Sequence, residues 1–358
     1  MKIKSIVLLS IIIISFIING LYAQKYSNEF LQIGVGSRAL SMGNSVVASS
    51  DDIYSCYWNP SGLLKLRNNI NLGYMHSSYF GGLAKYDFGS VAIKNSDSSA
   101  FGLSILRFGV DDIPNTLELM DANGNLDFSK LKSFSAADYA FLLSYARTLK
   151  KYPTLNVGAN LKIIRRIVGE FASSWGFGFD ISARYFYNSS FTLGMIIRDA
   201  TSTFNAWNYN TETFEEAFKL TGNEIPKNGF EITQPRLILG IAYNKDLNEK
   251  FSILGELNTD ITTDGKRNTL IKTNFLSIDP HIGVEASYLK KIFLRAGIFN
   301  IQKTINIKGK ESFNMQPSIG MGIRFKTFSI DYAFTDIGNV SVALYAHVVS
   351  INFGLDRK

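Results

Sequence analysis

From about Asn69 onward, apolar and polar positions alternate with a period of two. In "SWGFGFDISARYFY", Trp175, Phe177, Phe179, Ile181, Ala183, Tyr185 and Tyr187 make one apolar and aromatic face, while Ser174, Gly176, Gly178, Asp180, Ser182, Arg184 and Phe186 make the other, small or charged until its last residue. The same split recurs in "TLNVGANLKI", "PSIGMGIRF" and "FSIDYAFT". Strict alternation predicts β-strands whose two faces meet different surroundings. The polar face is rich in Gly and Ser with isolated charges, an odd surface for bulk water. The apolar face carries aromatics at its ends. Together these suit a transmembrane barrel with lipid outside, a side-chain-packed lumen inside and aromatic girdles at both interfaces. A water-soluble β-sandwich of an exported protein is the alternative.

Connection lengths give a second, independent test. The pattern predicts 14 strands, near 69–77, 83–94, 98–109, 134–149, 154–166, 172–187, 190–199, 233–245, 250–261, 278–289, 291–302, 313–325, 327–336 and 343–355. Connections after even-numbered strands are short, such as "KKYP", "DLNE" or the single Lys290. Those after odd-numbered strands include the long Val110–Ser133, Ala200–Ile232, Thr262–Ser277 and Lys303–Ser312. Short turns at one end and long loops at the other are the habit of bacterial outer-membrane barrels. Hydrocarbon tolerates no open sheet edge. The first strand, near Leu72–Met75, is therefore expected to pair with the last, near Val348–Phe353. The fold class expected is all-β: a 14-stranded antiparallel transmembrane β-barrel with an N-terminal plug segment containing short helices.

The chain's start sets the compartment. Lys2 and Lys4 precede an apolar run from Ile6 to Leu21, then Tyr22-Ala23-Gln24. This reads as a secretory signal peptide, residues 1–23, cut after Ala23; a membrane anchor is the alternative. Residues 24–67 would form a plug or hatch inside the barrel, and 68–358 the barrel itself. The plug carries many apolar residues but too many glycines and serines for one regular element. "NPSGL" supplies its tight turn, with Asn59, Pro60, Ser61 and Gly62 as the expected plug or gate turn. A short helix is expected around Asp51–Trp58 and a second near Gly62.

Composition adds exclusions. Aromatics reach 13% against only 7 Pro, which favours strands. The net charge of +7 is scattered rather than clustered, so nucleic acid is not an expected partner. The sole cysteine, Cys56, cannot form an intrachain disulfide. "GVGSRA" matches G-x-G-x-x-A but lacks the strand–helix–strand context of a dinucleotide site. His76, His281 and His347 assemble no nucleophile–base pair or metal set, so no catalytic residue, metal or cofactor is expected. Alternation turns nine charges inward: Lys162, Asp180, Arg184, Arg198, Glu256, Glu285, Arg295, Arg324 and Asp331. Both signs are present, so they can pair with each other or with the plug, or select a permeant.

The stretch "FLQIGVGSRALSMGNSVVASSDDIYSCYWNPSGL", Phe30 to Leu63, closely resembles the amino-terminal signature of the PorV/PorQ family. That signature is F-L-x-I-G-x-G-A-R-A-x-x-M-G-x-A, an acidic pair, then Y-W-N-P-A-G-L. Ser37, Ser45 and Ser61 stand where the family usually has alanine. "FSIDYAFTDIG", Phe328 to Gly338, is similar to the family's end, although here Phe353 is followed by "GLDRK" rather than closing the chain. The resemblance implies a FadL-like barrel with an amino-terminal plug in the outer membrane. It implies a non-enzymatic component of type IX protein secretion that binds cargo or surface-attachment proteins. The alternative is a FadL-like channel for long-chain fatty acids or other hydrophobic compounds. Outer-membrane lipid is an expected partner in either case.

Overall fold

The computed structural model describes residues 27–119, 124–213, 215, 218, 222, 224–305, 311–336 and 345–356. The expected signal peptide lies outside them. Seventeen strands follow in chain order: β1 Ile70–Tyr79, β2 Ala84–Ser96, β3 Ser99–Asn115, β4 Lys132–Leu149, β5 Tyr152–Val168, β6 Ala172–Phe186, β7 Phe191–Arg198, β8 Thr203–Tyr209, β9 Gly229–Thr233, β10 Arg236–Asp246, β11 Phe251–Thr262, β12 Ile271–Lys272, β13 Ser277–Tyr288, β14 Ile292–Ile305, β15 Glu311–Arg324, β16 Phe328–Thr335 and β17 Ala346–Leu355. All pairings are antiparallel. β8, β9 and β12 stand outside the ring, and the other 14 close on themselves. The closing seam joins the first and last strands, as closure in hydrocarbon requires: Leu72 pairs with Phe353 and Met75 with Ser350.

Two differences from the sequence pattern stand out. The long connection after β7 is partly ordered, because β8 pairs with the upper half of β6 and β9 with β8. β7 is short, so the unpaired edge of β6 beyond it must find another partner, and β8 supplies one. The helix expected over Asp51–Trp58 is confined to Ser55–Trp58. The Asp52 carboxylate accepts from the Tyr54 amide at 3.0 Å, a local turn that competes with helix upstream.

The faces divide as the period predicts. Along β6, Trp175, Phe177, Ile181 and Tyr185 are exposed, whereas Ser174, Asp180, Ser182 and Arg184 are buried. Near the short turns, outward aromatics meet across strands: Phe101 with Tyr145 and Phe191 with Tyr243, each at 4.8 Å between centroids, and Phe251 with Tyr288 at 5.0 Å. They make the girdle of one interface. The buried core lies inside, between the wall and residues 27–66.

Candidate functional site

The inner segment holds four short helical turns: Glu29–Gln32, Ser37–Ser41, Ser55–Trp58 and Pro60–Lys65. None is long enough to stand alone in water, so their order comes from the wall. Asn59 carries the sharpest turn. Its backbone is extended, with φ −164°, and its Oδ1 accepts from the Ser61 amide at 3.2 Å and the Ser61 hydroxyl at 2.6 Å. Its Nδ2 donates to the carbonyls of Val47 at 2.7 Å and of Ala183, on β6, at 3.3 Å. Pro60 fits the first helical position, where a missing N–H costs nothing. The Ser61 amide also reaches the Ser182 hydroxyl of the wall at 3.2 Å, and the Gly62 amide donates to the Asn59 carbonyl at 2.8 Å. All four residues of the turn are buried within the barrel.

Two wall glycines explain how closely the segment approaches. A Cβ on Gly297 would lie 2.2 Å from both Gly43 N and Met42 C, and one on Gly158 would lie 2.4 Å from Ser61 N. The small residues of the inward face thus leave room for a second chain segment rather than for water.

Of the nine inward charges, all but the half-buried Arg324 are buried. They divide into two kinds. Some pair within the wall: Lys162 with Asp180 at 2.8 Å and also with Asp199, Arg295 with Glu285 at 2.6 Å and with Asp331 at 2.7 Å. Others fasten the inner segment. Arg184 donates to the carbonyl of Ser50, Arg198 to that of Leu31 at 3.3 Å, and Glu256 accepts from the Ala48 amide at 2.6 Å. Arg198 also lies over the rings of Tyr57 at 4.2 Å and Trp58 at 5.3 Å, a cation–π arrangement. Arg324 stacks over Phe293 at 4.5 Å.

Sequence reasoning passed over the hub of this network. Arg38 joins segment to wall: Nη1 meets Asp51 at 2.8 Å and Nε meets Glu285 at 3.0 Å. It stood inside the amino-terminal signature, and the opposite-signed inward Glu285 was the signal that could have found it. His281 bonds Ser45 at 3.1 Å and Asp260 at 3.2 Å. His76 and His347 point outward, bonded to Asp87 and Tyr332. Cys56 is buried and free.

Asp52 sits beside this hub. Burial pushes its carboxyl up to about 6, against the pull of Arg38 and with the neighbouring Asp51 and Asp331 adding to the rise. A folded-state value above the unfolded one means that its contribution is fully present below about pH 4 and lost as pH rises through about 6. Asp52→Asn is therefore expected to stabilise the protein at pH 7.5, by on the order of 1–3 kcal/mol, and to do nothing at pH 4. Thermal melts of both proteins across that range check it, and equal gains at both values would refute it.

The segment divides the lumen. Above it, toward the long loops, lies a cavity of about 400 Å³. Its floor is Ile33, Leu40, Tyr57 and Trp58; Tyr79, Phe108, Ile238 and Phe299 are among its walls. A polar chain, Arg236–Asp260 at 3.3 Å and Asp260–His281, runs along one side. Below the segment, toward the short turns, is a second cavity of about 360 Å³, lined by charged and hydroxyl groups. Among the described residues no group of His, Cys, Asp and Glu is arranged to hold a metal.

The fold has solved counterparts. The CymD monoaromatic hydrocarbon channel is similar over 91% of this chain and 98% of its own, with a TM-score of 0.57 and 14% identity. The Pseudomonas putida toluene transporter TodX matches with a TM-score of 0.56 and 13% identity, over 90% and 98% of the two chains. The Ralstonia pickettii toluene transporter TbuX gives 0.54 and 12%, with the same coverage. At such identities the likeness shows the fold alone, a closed 14-stranded antiparallel β-barrel. No family model matches the chain, and no curated protein matches it.

Proposed function

We propose that the protein is a non-enzymatic outer-membrane channel for hydrophobic compounds, and that residues 24–67 act as its plug. The observation that carries this is the cavity above the inner segment. It is concave, and about half of its lining is aromatic or aliphatic, Ile33, Leu40, Tyr57, Trp58, Phe108 and Phe299 among it, while the other half is polar, with Arg198, Arg236, Asp260 and His281 converging on the same space. Its position, between plug and long loops, is where a compound arriving from outside would first be held. The hydrocarbon and toluene channels of the same fold support the same reading. Passage then requires the plug to shift, because the segment closes the lumen between the two cavities.

Phe108→Ala is expected to weaken binding of a hydrophobic probe such as toluene about 5- to 10-fold, the loss of roughly 1–1.4 kcal/mol of apolar contact. Titration of the purified protein in detergent measures it. An unchanged affinity, or no binding by the wild type, would remove the basis of the proposal.

The second reading, a PorV/PorQ-type component of type IX secretion that binds cargo or attachment proteins at the cell surface, rests on the Phe30–Leu63 signature. The signature residues are largely spent on the barrel's own wall: Arg38 on Glu285, Gly43 against Gly297, Asn59 on Ala183. The resemblance they carry therefore speaks for a plug more than for a partner. A gene deletion separates the two readings: loss of uptake with normal surface cargo favours the channel, and cargo stranded in the periplasm favours secretion.

A further inference from the structure

The short-turn rim carries a feature that the channel reading does not use. A groove of about 760 Å³ runs between the β13–β14 and β15–β16 turns. Five cations line it, Arg67, Lys290, Lys291, Arg324 and Lys326, and no carboxylate does. Only Lys290 has a carboxylate partner at salt-bridge distance among the described residues, the exposed Asp246 at 3.1 Å. Arg324 is held by the face of Phe293 rather than by an acid. The turns are fixed against each other, the Arg324 amide donating to the Lys291 carbonyl at 2.7 Å, so the cations converge on one place.

The other wall of the groove is apolar and faces outward. Ile292 and Ile323 are register partners, each 49% exposed, and Phe325 is 62% exposed. These belong to the lipid-facing surface just where it meets the girdle. Inward, Arg67, Lys290 and Arg324 also line the lower cavity, whose Arg184 is 2% exposed and keeps a buried Nε with no partner. The carboxylates of that cavity, Asp51 and Glu285, are already paired with Arg38, which leaves the cations in excess, and guanidinium groups suit phosphate oxygens.

We propose that this groove binds the headgroup of an anionic phospholipid from the inner leaflet, its phosphate among Arg67, Lys291, Arg324 and Lys326 and its acyl chains along Ile292, Ile323 and Phe325. Charge alone would suit any oxyanion. The exposed apolar strip continuous with the cations selects a lipid over a free ion, since each buried methylene adds to the binding of a chain and nothing to that of phosphate. The site is independent of the upper cavity and stands whether or not that cavity carries a ligand.

The test uses the full-length protein in mixed micelles with phosphatidylglycerol and phosphatidylcholine, counting retained lipid by native mass spectrometry. The wild type is expected to retain phosphatidylglycerol selectively. Lys291→Gln/Arg324→Gln/Lys326→Gln is expected to lose that selectivity on the order of 10- to 100-fold, from about a tenfold effect at most for each basic residue near an anionic headgroup. Heat-modifiable gel mobility confirms that the variant barrel is folded; a single Lys326→Gln serves, with a smaller loss, if the triple variant is not. Equal retention of both lipids by the wild type would overturn the proposal. So would displacement of phosphatidylglycerol by millimolar inorganic phosphate, which would make the site one for a free oxyanion.

Discussion

Gly297→Val is expected to expel the inner segment and turn a closed barrel into a conducting one. The atoms a side chain would strike at 297 are Gly43 N and Met42 C, both 2.2 Å from the new Cβ and both backbone, so no rotamer change relieves the clash. Overpacking a well-fitted interior typically costs about 1–3 kcal/mol, and a contact with backbone sits at the upper end or beyond. The barrel has its own complete ladder of hydrogen bonds and need not unfold to escape it. The inner segment, made of turns of four to six residues, is the element that can leave. Planar-bilayer recordings should show a silent wild type and stepwise conductance for the variant, with residues 27–66 newly open to protease. Gly158→Val should act alike at the other contact, through Ser61 N. Gly255 provides the control: nothing lies within 4 Å of a Cβ there, and Gly255→Val should stay silent. A closed, protease-resistant Gly297→Val would mean that the wall yields instead of the segment.

That contrast shows which part of the molecule alternation makes visible. A strand between lipid and lumen repeats every two residues whatever its partners, so the ring, its closure at Leu72–Phe353 and the inward direction of Lys162, Asp180 and Glu285 could all be read from the chain. Contacts between the ring and the inner segment have no period. Arg38 lies 247 positions from Glu285, and nothing local marks them as partners. The same holds for Asn59 and Ala183, 124 positions apart. The Gly- and Ser-rich inward face was visible, but its meaning was not: Gly158 and Gly297 are small because another backbone passes them. The β8–β9 ladder escaped for a different reason. Thr203 and Asn205 are buried and Phe204 is exposed, but the aromatics change face at Trp207 and Tyr209, so the alternation of "TFNAWNY" breaks within seven residues.

Arg38→Met is the second large effect expected, a loss of about 3–5 kcal/mol, because it breaks a buried ion network from one side. Arg38 stands between Asp51 of the segment and Glu285 of β13, and Glu285 passes the contact on to Arg295 and Asp331. Methionine keeps much of the volume and none of the charge, so Glu285 retains Arg295 while Asp51 and Asp52 lose their nearest cation. The loss should fall on the segment: amide exchange at residues 37–62 should quicken far more than in β13 or β14. pH distinguishes this from simple misfit. Desolvation works against the Asp51 charge, but Arg38, followed by Arg324, Arg67 and Arg184, outweighs it and holds the carboxyl below its ordinary value. Stability from a lowered carboxyl is present above its unfolded value near 3.8 and disappears as pH falls through the folded one. The gap between wild type and Arg38→Met should therefore narrow in acid, and Arg38→Met/Asp51→Asn should recover part of the loss at pH 7. A gap that stayed constant from pH 7 to pH 3 would assign the effect to packing and leave the ion network without an energetic role.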